Sequence, residues 1–215
     1  MMMLYAVAAA DADHAAATDD TSLQAHRYDD VTVFAEPLTD TPERSTREVL
    51  AFGRVLQQLW SHHPVLPVRF GTIVSDETEL AQLVAERESA WTERLTAVAG
   101  RSEIIVHLPL PSDAAPDPEP DEPVESGAAY LRRRAAEVRR HDLETAELKA
   151  VLAPYASETA VLPQVRTGEA RLSALVPDEL VETARAAVEK WATNWSWATV
   201  TGPWPPFSFC QETEA

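Results

Sequence analysis

An arginine inside an apolar run is the first place to look for chemistry in this sequence. In "PVLPVRFGTIV", residues 64–74, Arg69 stands among valines, a leucine, a phenylalanine, two prolines and Gly71. A guanidinium is expensive to bury unless its five N–H donors find carboxylates or carbonyls. It is therefore either a cation facing a ligand or a brace within the fold. No catalytic partner motif flanks it. Arg69 is read as a structural anchor between strand and helix, with Gly71 permitting a bulge or a close backbone approach.

Other reactive residue types lack a chemical context. His62 and His63 are neighbours, so in extended chain they point to opposite sides and cannot readily hold one ion together; a helix-end role is the plainer reading. Cys210, the single cysteine, has no cation beside it in sequence to lower its pKa, and reads as a buried or idle thiol. One cysteine allows no intrachain disulfide and no cysteine-based metal cluster. The G-x-S-x-G elbow, the Walker loop, the dinucleotide glycine fingerprint and the H-E-x-x-H helix are all missing. Six glycines in 215 residues leave little material for phosphate-cradling loops. The expectation is no enzyme, no cofactor and no metal site.

Two clusters suggest binding instead. Arg132, Arg133, Arg134, Arg139 and Arg140 crowd one helical segment of an acidic protein. They are either a solvated face paired with Glu137 and Glu144, or a docking stripe for acidic surface. Trp195, Trp197, Trp204, Phe207 and Phe209 fall within fifteen residues near the C-terminus. Alternation puts Trp195 and Trp197 on one sheet face. Core packing with a proline-braced strap explains this tail in one way, a partner surface in another, since Trp and Phe are enriched at interface centres.

The totals narrow the classes. Acids outnumber bases 35 to 18, for a formal charge of −17. Such a surface repels phosphate backbones and anionic headgroups, so neither nucleic acid nor membrane is an expected partner. The opening "MMMLYAVAAADADH" lacks the basic residues of a signal peptide, and no apolar run approaches the ~20 residues of a membrane helix. A soluble, intracellular protein is expected. At 45% hydrophobic, the chain can bury a core, and its length suits one large domain or two small ones.

The positioning elements follow from periodicity. Strands are expected at 3–9 and 30–38, with residues 11–30 a long polar loop. A helix over 43–60 carries Val49, Phe52, Leu56 and Leu59 on one stripe, with Trp60 beside it. A broken strand fills 65–74. Asp76 and Glu79 form a capping-box pattern for a helix that buries Leu80, Leu83, Val84, Trp91, Leu95 and Val98 and stops at Gly100. Residues 103–108 make a buried strand. "PLPSDAAPDPEPDEP", 109–123, alternates proline with acid and reads as a linker. Beyond it come a long helix to Pro154, strands at about 159–166 and 169–176 turning at Thr167-Gly168, a helix opened by Asp178 with Leu180, Ala184, Ala187, Val188 and Trp191 on its stripe, and a last strand. From 103 onward the order is β-α-β-β-α-β, the ferredoxin-like pattern. The first half is a rearranged version of it. The fold class is α+β, two helices on one face of each mostly antiparallel sheet. The domains expected are 1–108 and 124–215, joined by the 109–123 linker, with the second domain able to borrow strand 103–108.

Three separated segments then carry a resemblance: "VLPVRFGTIV" (65–74), "SGAAYLRRR" (126–134) and "TVTGPWPPFSF" (199–209). With the "LYAV" opening and "VAGRSEIIVHL" between them, the whole chain resembles the gas vesicle protein GvpL/GvpF family. The resemblance implies two α+β domains and a non-enzymatic accessory or minor structural protein of gas vesicle assembly. It implies binding to the hydrophobic shell protein GvpA and to other Gvp proteins. It also implies a place in the gas vesicle, at the gas-facing shell surface, and in the cytoplasm during assembly. The Pro/Asp/Glu linker departs from the family pattern. A small-ligand-binding or regulatory ferredoxin-like module is the alternative, since that fold hosts many functions, and an enzyme pairing Arg69 with a carboxylate is a third.

Overall fold

The structure, a computed structural model, describes residues 1–12, 22–109, 127–162, 169–193 and 198–210. The expected linker beyond Pro109 and the expected turn at Thr167-Gly168 lie outside those residues. The chain divides into two compact units, Met1–Glu103 with Trp204–Ala215, and Ile104–Pro203.

The first unit contains β1 (Met2–Ala9), β2 (Gln24–Arg27), β3 (Val31–Pro37), α1 (Thr46–His62), β4 (Val65–Pro67), β5 (Ile73–Val74) and α2 (Glu77–Val98). Its antiparallel sheet runs β2-β3-β1-β4, with β5 also on β1. The register of β1 on β3 shifts between Leu4 and Ala6. That irregularity lets Met3 and Tyr5, then Ala6 and Ala8, all join the cluster formed with Phe52, Val55, Leu56 and Leu59 of α1. Leu4, Val7, Val33 and Leu66 are equally buried on the other face. There α2 lies against β1, β3, β4 and β5, burying Leu80, Val84, Leu95 and Val98. The expectation of both helices on one face is thus corrected for this unit: one helix covers each face, and every residue of β1 from Met2 to Ala8 is buried.

Two further corrections concern this unit. Strand β2 occupies part of the stretch expected to be loop; it is short, polar and on the sheet edge, so no apolar alternation marks it. Val49, expected on the buried stripe of α1, is 45% exposed, and Val55 takes its place. The helix starts are local. Ser45 caps α1, accepting from the Glu48 N–H at 3.2 Å. Asp76 accepts from the Thr78 and Glu79 N–H groups at 2.9 and 3.0 Å. Glu79 reaches back to the N–H and hydroxyl of Ser75, both at 2.6 Å, which holds its carboxyl below the ordinary range.

The second unit holds most of β6 (Arg101–Pro109), then α3 (Gly127–Leu152), β7 (Glu158–Leu162), β8 (Glu169–Pro177), α4 (Val181–Ala192) and most of β9 (Thr199–Trp204). The sheet order is β7-β8-β6-β9, so the first and third strands of the β-α-β-β-α-β sequence are central. Ile104, Val106 and Leu108 alternate onto one face and pack with Leu148, Leu152, Leu172, Ala174, Val181, Ala184 and Val188. Asp178 does not open α4 directly; a 3-10 turn, Asp178–Leu180, precedes it. No helix among the described residues is long and apolar enough to cross a membrane.

The units therefore differ from the expected domains at two points. Residues 104–108 sit in the second core, and residues 204–210 belong to the first unit. The tail belongs there because Glu103, wholly buried, accepts from the Ser208 backbone N–H at 2.9 Å and from its hydroxyl.

Candidate partner-binding surface

Arg69 occupies the interruption between β4 and β5, both of which pair with β1. The chain stays attached across the gap through Val68 N–H to Tyr5 O at 2.8 Å and Leu4 N–H to Thr72 O at 2.9 Å. Between them the chain turns, the Arg69 carbonyl accepting from the Thr72 N–H at 3.1 Å and its hydroxyl at 2.8 Å. Gly71 has φ +82°, the third-position requirement of a type II turn. The Arg69 side chain is exposed. A buried guanidinium brace is therefore not what this motif builds; its anchoring groups are the backbone of Arg69 and the side chain of Phe70. Phe70 packs edge-on to Phe52 at 5.3 Å, and Phe52 stacks on Tyr5 at 4.5 Å. Nor does Gly71 serve a close approach, since a Cβ there meets nothing within 4 Å. Its role is the left-handed backbone.

The aromatic tail divides by exposure. The Gly202-Pro203 peptide is cis, and Arg185 Nη1 donates to Gly202 O at 2.5 Å. Trp204 and Phe207 are 38% and 46% exposed, whereas Phe209 is 5% exposed. Phe207–Phe209 forms a 3-10 turn on two buried prolines, Pro205 and Pro206. In that geometry positions two apart point to different sides. Phe209, expected as a partner contact, is thus corrected to a core residue, its carbonyl accepting from Arg94 Nε. Trp195 and Trp197 lie outside the described residues.

Beside Phe209, the Cys210 thiol donates to Pro206 O at 2.7 Å. Burial, then the Glu103 carboxylate, push its pKa well above the usual thiol range, and Arg94 offsets this only in part. A thiol held protonated is no nucleophile. The interactions that seat the tail, through Glu103, Ser208 and Arg94, connect residues more than a hundred positions apart. The polar Glu103 within "RSEIIVHL" was the one hint of them.

The remaining candidates stay apart. Arg132 and Arg139 are exposed on α3, seven residues apart and so on one helix face, while the side chains of Arg133, Arg134 and Arg140 lie outside the described residues. His62 and His63 close α1 with rings 6.5 Å apart, and His62 Nδ1 lies 3.0 Å from the Ser61 hydroxyl. Among the described residues no cluster of three His, Cys, Asp or Glu side chains could hold a metal ion. A groove of about 450 Å³ runs along α2, lined by Arg87, Trp91, Glu93, Arg94 and Cys210.

Comparison with known proteins places this surface in context. The family model described as "Gas vesicle synthesis protein GvpL/GvpF" matches residues 2–211. A relative named Gas vesicle protein F, from Streptomyces sp. (strain CB03234), is 28% identical over 197 residues, covering 81% of this chain and 83% of the relative. Among solved structures, GvpF from Anabaena sp. PCC7120 superposes with a TM-score of 0.81 at 19% identity, over 99% of this chain and 97% of that one. GvpF from Microcystis aeruginosa gives 0.77 at 15% identity, over 98% and 99%. The α+β fold is shared with both.

Proposed function

This chain belongs to the gas vesicle synthesis protein GvpL/GvpF family, and we propose that it acts without catalysis, binding the hydrophobic shell protein GvpA and other Gvp proteins during assembly of the vesicle. The whole-length family match carries the reading. The surface supports it: Trp204 and Phe207 leave aromatic area exposed on a tail whose neighbours, Pro205, Pro206 and Phe209, are buried. A protein that handles a very apolar subunit needs such area, since burying it against the client supplies about 25 cal/mol per Å². Arg132 and Arg139 offer a second, charged contact for acidic Gvp partners. The shell, at its gas-facing surface, is the proposed location.

Co-expression with GvpA and affinity capture tests this directly. Trp204→Ala and Phe207→Ala together should reduce captured GvpA by an order of magnitude, about 1.4 kcal/mol, while leaving thermal stability nearly unchanged. Undiminished capture by the double variant would remove the tail from the interface. Normal vesicles in a clean deletion strain would remove the assembly role altogether.

A further inference from the structure

We propose that Glu103 and Ser208 form a latch that positions Phe207 for its partner. The inference rests on the partner-binding reading above and adds what holds that residue in place.

Phe207 sits just beyond the end of β9 on a segment with little regular structure, one 3-10 turn of three residues. A short turn of that kind does not fix its own orientation. Three contacts do so here. The Ser208 N–H and hydroxyl both donate to the Glu103 carboxylate, and the Phe209 carbonyl accepts from Arg94 Nε. Glu103 has 0% exposure, so its oxygens need hydrogen bonds from the protein, and Ser208 supplies two of them. Hydrogen bonds to a buried charged acceptor are the strong kind. Ser208 lies between Phe207, which points outward, and Phe209, which points into the core. Pinning the middle residue fixes which phenylalanine faces solvent. An aromatic held in place loses less conformational freedom on binding than one on a loose tail, which favours affinity. Glu103 and Ser208 are thus positioning residues; neither needs to touch the partner.

The chain carries its own reporter. Cys210, the single cysteine, follows the turn directly and is held by Pro206 O. Its thiol reacts slowly while the tail is seated and fast once it leaves. The experiment compares the full chain with Ser208→Ala, Glu103→Gln and Phe207→Ala, reading labelling by a disulfide reagent and capture of co-expressed GvpA, with far-UV circular dichroism to verify folding. Ser208→Ala removes a side chain without adding bulk, so it reports even if Glu103→Gln misfolds. The expected result is thiol labelling faster by about ten-fold and GvpA capture lower by several-fold in Ser208→Ala, from loss of one charge-assisted hydrogen bond. Phe207→Ala should lower capture with labelling unchanged. Faster labelling with undiminished capture in Ser208→Ala overturns the positioning role. Unchanged labelling in Ser208→Ala overturns the latch, whatever capture does. Undiminished capture in Phe207→Ala instead sinks the partner surface itself, a separate failure.

Discussion

At the scale of single residues, the motif around Arg69 works through its backbone. Gly71 is the position to test. With φ at +82° and open space where a Cβ would go, Gly71→Ala meets a conformational cost alone. The expected loss is about 1–2 kcal/mol, measured by chemical denaturation, and Gly71→Asn should lose less, because Asn tolerates the left-handed region. Arg69→Lys, by contrast, should change stability by no more than about 0.5 kcal/mol, since the side chain is exposed. A loss several times larger would restore the guanidinium as a brace. The spacing misleads here for a definable reason: Val65, Leu66 and Pro67, just before Arg69, are buried, yet the chain turns at that residue, and a turn frees its side chain from the strand alternation. The same blindness applied to Phe207 and Phe209, whose opposite fates depend on a 3-10 turn that no periodicity announces.

At the scale of elements, what local rules govern was legible. The capping of α2 by Asp76 was readable from spacing, though Glu79 reciprocates onto Ser75 rather than onto the cap residue. Asp76→Ala should cost about 1 kcal/mol by thermal melts. Glu79 gives a pH signature. Its carboxyl pKa is lowered from the ordinary 4.5 by the hydrogen bonds from Ser75, so the folded state holds its proton less tightly than the unfolded one. The stabilisation is present above that value and is lost as pH falls through the lower, folded value. Glu79→Gln should therefore flatten the fall of Tm on acidification below pH about 4.5, relative to the unmodified chain. Strand β1 is marked by its own composition. Its run "MMLYAVAA" shows no polar alternation, the mark of a strand covered on both faces, and α2 indeed takes the face opposite α1. Strand β2 was hidden for the converse reason, being an edge strand of polar residues. In the second unit, Leu148 and Leu152 tie α3 to the sheet, and both are fully buried. Leu148→Ala should cost about 2–5 kcal/mol.

At the scale of the whole molecule, charge and connectivity dominate. With a formal −17 on 215 residues, self-repulsion works against compaction. Raising salt from about 0.01 to 0.15 M shortens the screening length from roughly 30 to 8 Å. Tm should rise by about 2–4 °C over that range, the shift about 1 kcal/mol produces in a chain of this size; a fall would mean attractive pairs outweigh repulsion. The α+β class and, apart from β2, the element order could be anticipated because each stripe and strand is a local pattern. The division into units could not, because it depends on Glu103 meeting Ser208, a meeting 105 residues apart in sequence. That meeting has a consequence for synthesis. Residues 204–210 complete the unit that begins at Met1, so a nascent chain emerging from the ribosome cannot finish its first unit first. The usual N-to-C order of domain folding during translation is thus interrupted, the last strap of the first unit being added only after the second unit has been synthesised.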